Sequence, residues 1–232
     1  MKKKFLAGMA IGLMSLCIAG TASSTVTVVL DPGTTNITTA LTGFSTNGAM
    51  MDGMGVTAYF QGGGSQTINW ASTNSTDGGV TGTGWSLIEQ GDTFSGPWTL
   101  TASVQISKIT IDAGLGNSVF DTTFGGVEGT PGSALGLSFT SATSRDILAT
   151  YKDAIALSGF APVGDLYRNL TIDFGNTPFG GAATNVEQLV FNTDTDNLSI
   201  SGDIQSTPEP ATMILLGTGL AGLIAVQRKK TV

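Results

Sequence analysis

Six consecutive oxygen-bearing side chains, Asn192-Thr193-Asp194-Thr195-Asp196-Asn197, make up the stretch best suited to chemistry. Oxygens alternate at Asn192, Asp194 and Asp196, and Asp203 stands at the twelfth position, which sketches a loop around calcium, a hard cation that takes oxygen ligands. The sketch departs from a helix-flanked calcium loop in its particulars. Asn192 stands first, Asn197 sits where the sharp turn wants Gly, and Asp203 replaces the usual bidentate Glu. The plain alternative is a polar turn in which Asp and Asn bond their own backbone. A second acidic loop, Asp112-Ala113-Gly114-Leu115-Gly116-Asn117 with Asp121, offers the same ligand chemistry.

Other chemistry is narrowed by composition. The chain has no His and a single Cys, Cys17, so neither a Ser–His–Asp triad nor a soft metal site can form. A Ser–Lys arrangement would have only Lys108 and Lys152 to draw on. Glycoside hydrolysis needs two facing carboxyls, and Glu89, Glu128 and Glu187 stand in no recognisable catalytic context. The expectation is a protein that is not an enzyme. Trp70, Trp85 and Trp98, with Tyr59 and Tyr167, could build a platform on which sugars stack, although aromatic residues on strands more often pack inside. Thr-rich faces also suit ice binding, but no regular T-x-T ladder runs along the chain.

The elements that would position these residues read as all-β. Short alternating runs occur at Thr25–Val28, Val56–Phe60, Thr67–Trp70, Trp98–Leu100, Val104–Ile111, Leu135–Phe139, Leu170–Phe174 and Val186–Phe191. Period-two alternation marks strands buried on one face. Val104 and Ile106 share one phase while Ile109 and Ile111 share the other, which calls for a bulge near Lys108. Gly62-Gly63-Gly64, Asp77-Gly78-Gly79, Gly125-Gly126 and Gly180-Gly181 read as turns. The segment 144–155 fits helical and strand spacing alike, and its β surroundings favour strand. No repeat of 20–50 residues is visible, which disfavours a solenoid. The architecture expected is an antiparallel two-sheet sandwich, jelly-roll-like, over residues 23–206.

Both ends differ from this body. Met1-Lys2-Lys3-Lys4, the apolar run Phe5–Ile18 and the small residues Ala19-Gly20-Thr21-Ala22 read as a signal peptide, residues 1–22, cut by signal peptidase after Ala22. At the other end, Thr207-Pro208-Glu209-Pro210 precedes an uncharged run, 211–226, and then Gln227-Arg228-Lys229-Lys230. At ~1.5 Å per residue a helix over that run spans roughly 24 Å, and snorkelling Arg228, Lys229 and Lys230 extend its reach. Those cations hold this end in the cytoplasm. Gly217-x-Gly219-x-x-Gly222 has dinucleotide-binding spacing but lies within the apolar run, without the βαβ context that reading needs.

Pro208-Glu209-Pro210, the Leu-Leu-Gly-x-Gly-Leu-x-Gly-Leu core and the basic end together resemble the PEP-CTERM sorting signal of exported bacterial proteins. The resemblance implies recognition by an exosortase, passage through the inner membrane with a transient anchor, and cleavage near Pro-Glu-Pro. Parts of 51–196, such as Met51-Asp52-Gly53-Met54 and Gly82-Thr83-Gly84-Trp85, resemble a recurrent domain found beside such tails, which brings no activity with it.

Once both ends are set aside, four basic residues face sixteen acidic ones. So acidic a body repels phosphate backbones, which excludes nucleic acid as a partner. The resulting expectation is a surface or matrix protein of a Gram-negative bacterium, delivered by the export machinery. Its role would be structural or adhesive alongside exopolysaccharide. The alternative is a carbohydrate-binding module that uses calcium, and a glycoside hydrolase or an ice-binding protein ranks below both.

Overall fold

The structure, a computed structural model, describes residues 25–43, 45–122, 136–181, 186–200 and 202–206. The signal peptide, the apolar run at 211–226, Pro208-Glu209-Pro210 and Arg228-Lys229-Lys230 lie outside the described residues, as do Glu128 and Gly125-Gly126. Among the described residues, no helix is long and apolar enough to cross a membrane.

Among the described residues, sixteen strands build two sheets. The larger contains β1 (Val26–Asp31), β2 (Asn36–Thr38), β3 (Leu41–Gly43), β4 (Gly55–Phe60), β5 (Ser65–Asn69), β10 (Ile106–Asp112), β11 (Ser118–Asp121), β12 (Ile147–Leu157), β13 (Leu166–Asp173), β15 (Asp194–Leu198) and β16 (Gln205–Ser206). The smaller contains β6 (Ala71–Ser72), β7 (Asp77–Gly82), β8 (Trp85–Gln90), β9 (Trp98–Ala102) and β14 (Glu187–Phe191), in the order β14-β9-β8-β7-β6. Pairing is antiparallel except where β1 and β2 run parallel to β12, one after the other along the same side.

Alternation does what the sequence implies. In β10 the register shifts between Ile106 and Lys108, and this bulge turns Ile106, Ile109 and Ile111 to the same core. Each such side chain gains roughly 1.5–3 kcal/mol by leaving water. Across from them, Val80, Leu87, Leu100 and Leu189 of the smaller sheet join the same apolar cluster. The segment 144–155 resolves as strand, in β12, because Ile147, Ala149 and Tyr151 all face inward.

Three expectations are corrected. Asp77-Gly78-Gly79 is strand, not turn; a Cβ on Gly78 would run into the Gly48 carbonyl and the Trp70 indole, so glycine is there for close approach. Residues 136–139 form no strand, although Phe139 is buried and its N–H donates to the Tyr151 hydroxyl at 2.7 Å. The stretch 194–198 is the strand β15, buried at all five positions.

One surface pattern runs across the chain instead of along it. On the outer face of the larger sheet, Thr67, Thr57, Thr110, Thr171 and Thr150 stand in register on β5, β4, β10, β13 and β12, and Val29 of β1 continues the rank. Thr57 and Thr67 share a hydrogen bond of 2.8 Å. Charged residues flank the rank: Lys108 and Asp173 on one side, Asp112 and Lys152 on the other.

Candidate functional site

Pairing of β11 with β15 brings three carboxyl groups together, the densest such group among the described residues. Asp121 lies opposite Asp194, and Val119 opposite Asp196. Asp194 and Asp196, two residues apart on a strand, project to one face. Ligand oxygens of Asp121, Asp194 and Asp196 all lie within 4.8 Å of one another, and all three residues are buried. Asp194 Oδ1 accepts from the Thr93 hydroxyl and the Thr195 N–H, each at 2.8 Å. Thr93 is held in turn by the Thr46 carbonyl, and Gly136 packs so tightly on Asp121 that a Cβ would collide with its carboxylate.

Burial pushes the Asp194 carboxyl up to about 7 against the pull of its bonds from Thr93 and the Thr195 N–H, and the charges of Asp121 and Asp92 add to the push. The body's cations are committed or exposed elsewhere. Arg145 grips Glu187 with two nitrogens, Arg168 grips Asp112 at 2.9 Å through both of its bonds, Lys108 lies over the Tyr59 ring and Lys152 is exposed. Three buried carboxyls so close together either share protons or surround a hard cation. Their oxygen-only chemistry fits calcium or magnesium and no soft metal.

Neither acidic loop foreseen in the sequence forms as such. Asp194 and Asp196 do meet, but Asn192 is tied by its backbone to Thr140, and Asp203 caps the Thr38 hydroxyl at 2.5 Å and the Thr39 N–H at 2.7 Å. The reason is that 194–198 is extended: a strand presents every second residue to one side and cannot curl twelve residues around an ion. The third carboxyl comes instead from Asp121 of the other loop, whose Asp112 is taken by Arg168. The i, i+2 spacing of Asp194 and Asp196 was the visible signal; their meeting with Asp121 depends on the pairing of two distant strands.

The sugar platform is also corrected. Trp70, Trp85 and Trp98 are 2%, 3% and 0% exposed. Each indole N–H is satisfied internally, by the Gly48 carbonyl (2.8 Å), Gln66 Oε1 (2.9 Å) and the Thr193 carbonyl (3.0 Å). Trp70 and Trp98 rings pack with centroids 5.3 Å apart, and Phe191 stacks on Trp98. Rings that need both an apolar wall and an N–H acceptor find them between the sheets. Tyr167 is buried, whereas Tyr59 remains partly exposed under Lys108.

A residue that sequence reasoning left unused is Glu89. It is wholly buried on β8, opposite Trp98, and neither carboxyl oxygen has a hydrogen-bond partner of normal geometry. The Gly48 N–H beside it donates to the Gly91 carbonyl at 3.2 Å. Burial, followed by the charge of Asp77, pushes Glu89 up to about 8, with Gly48 opposing and Asp92 adding. Gly48 and Gly96 wall the carboxyl in, and a Cβ on either would press on its oxygens. The signal lay in the alternation Trp85, Leu87, Glu89, which puts Glu89 in the apolar phase.

Comparison with protein families matches residues 206–229 to the PEP-CTERM protein-sorting motif. Comparison with curated proteins and with solved structures returns no match. The motif marks an exported chain that an exosortase processes and sorts to the cell surface.

Proposed function

We propose that this chain, which carries a PEP-CTERM sorting motif at its end, is a structural or adhesive component of the cell surface or extracellular matrix, associated with exopolysaccharide and without catalytic activity. The observation that carries the reading is the motif itself, placed directly after an acidic all-β body. The signal peptide directs export, the apolar run holds the chain in the inner membrane for a time, and the exosortase then cuts near Pro208-Glu209-Pro210. The intact mass of protein recovered from the cell surface tests this. A mass ending between Thr207 and Pro210 is expected, and any excess identifies an attached group. A mass running through Val232 would mean a retained anchor and would overturn the matrix role.

A second reading, that the body holds calcium, is favoured by the convergence of Asp121, Asp194 and Asp196. The three would serve as oxygen ligands, and the ion would relieve their mutual repulsion, tying β11 to β15. Adding calcium to chelator-treated protein is expected to raise the melting temperature, and an unchanged transition would retire the site.

A further inference from the structure

We propose that a recess at one end of the two sheets is a binding site for an uncharged sugar unit. Connections from both sheets meet there: the turn at 61–64 between β4 and β5, Thr83 between β7 and β8, and the residues 103–105 between β9 and β10. β4, β5 and β10 belong to the larger sheet and β7, β8 and β9 to the smaller, so the recess opens between the two. Its volume is about 950 Å³. That is within the roughly 300–1,000 Å³ usual for sites that take small molecules.

The lining decides the class of ligand. Phe60 and Val104 are half-buried, pack on the core and give the recess an apolar wall with an aromatic face. Gln66 supplies a fixed polar group, because its Oε1 accepts from the Trp85 indole N–H at 2.9 Å and from the Thr83 N–H at 3.0 Å. Two donors on that oxygen settle which end of the amide is which, and the NH2 end has no acceptor among the described residues. Thr83 and Gln105, both exposed, add a hydroxyl and a second amide. The Ser103 hydroxyl gives its proton to the Gly84 carbonyl at 3.2 Å and is left to accept.

None of the described residues around the recess is charged, on a body with four basic and sixteen acidic residues. An ionic ligand would find no counter-charge there. A purely apolar one would bury the Gln66 NH2 without a partner. A sugar has what both lack: a face of C–H groups to lie on Phe60, and hydroxyls that accept from Gln66 and donate to Ser103. No carboxyl among the described residues lines the recess, so a glycosidic bond seated there is held and not cut. That exopolysaccharide supplies the sugar rests on the association proposed above; the recess and its ligand class do not.

Calorimetric titration of protein recovered from its host tests this with four probes: uncharged and anionic fragments of the host's own exopolysaccharide, and the tetrasaccharides cellotetraose and maltotetraose. Gly62→Trp fills the recess without disturbing the fold, because a Cβ at Gly62 meets open space and no positive φ is needed there. Val163→Trp, on an exposed residue beyond the recess, is the control. At least one uncharged probe is expected to bind wild type and the control alike, with affinity falling roughly tenfold or more in Gly62→Trp and several-fold in Phe60→Leu. In wild type the same titration should shift the NMR signal of the Trp85 indole N–H, whose acceptor lines the recess, and leave that of Trp98, bonded to the Thr193 carbonyl, in place. No binding of any uncharged probe, tighter binding of the anionic fragments, or an unmoved Trp85 signal would overturn the proposal. Binding of host fragments that survives Gly62→Trp would overturn the recess and leave the exopolysaccharide association standing. Binding of a tetrasaccharide but of no host fragment would support the recess and refute that association.

Discussion

Buried acids are the unusual residues of this protein, and their protonation sets a direction for its stability. Glu89 has an ordinary value of 4.5 and is raised to about 8 in the fold. Its proton is therefore held more tightly by the folded chain. The contribution is complete below about pH 4.5 and is lost as pH rises toward 8, because the folded state must then bury a charge or keep a proton the unfolded state has released. In chelator, urea denaturation is expected to show stability falling across that window, with Asp194 adding a slope of the same sign up to about 7. Glu89→Gln should flatten the curve and exceed wild type at pH 8.5 by a few kcal/mol, since a tenfold change in proton affinity is worth about 1.4 kcal/mol. An unaltered pH slope would show that Glu89 has partners in solution. At the β11–β15 cluster, Asp121→Asn should abolish the calcium response. For an ion at 100 times its dissociation constant, wild type gains about 2.7 kcal/mol, roughly 2–4 °C per kcal/mol in a domain of this size.

Elements are held together by aromatic packing between the sheets more than by ion pairs. Trp98 touches Trp70 and Phe191, and Phe191 stacks on Phe139, so these rings connect β9 and β14 to the segments before β6 and β12. Trp98→Ala should cost about 3–5 kcal/mol, read as a lower urea midpoint, because the cavity cannot collapse between two sheets. Binding to exopolysaccharide per folded molecule should not change, since the ring never reaches solvent. The Arg145–Glu187 and Arg168–Asp112 ion pairs are partly exposed and weigh less. Arg145 nonetheless joins Glu187 to the carbonyls of Thr177 and Pro178, so Arg145→Ala should loosen the approach to β14 and cost on the order of 1 kcal/mol. Hydrogen exchange in β14 should rise with it.

At the scale of the whole molecule, the folded body and the address at its end perform separate tasks. Replacing Pro208-Glu209-Pro210 with alanines leaves every described contact in place, so the variant should fold normally and accumulate at full length in the inner membrane fraction. Normal processing of that variant would remove the exosortase from the account. The rank of threonines on β5, β4, β10, β13 and β12 shows why surface function is hard to read along a chain: its members are separated by tens of residues and meet only through strand register.

Much was legible in the sequence for local reasons. The tail is recognised from contiguous residues, the all-β class follows from period-two alternation, and the bulge in β10 follows from a phase change between Ile106 and Ile109. These properties depend on neighbours within a few positions. Where the acids and tryptophans ended up was not local. Asp194 and Asp196 looked like a loop because their strand is polar, and only pairing with β11 placed Asp121 beside them and buried all three. Trp70, Trp85 and Trp98 alternate as readily outward as inward, and the second sheet decided that they face in. Sequence by itself determined how the chain is handled and what elements it forms; tertiary structure decided which side chains meet, because burial and register arise between strands distant along the chain.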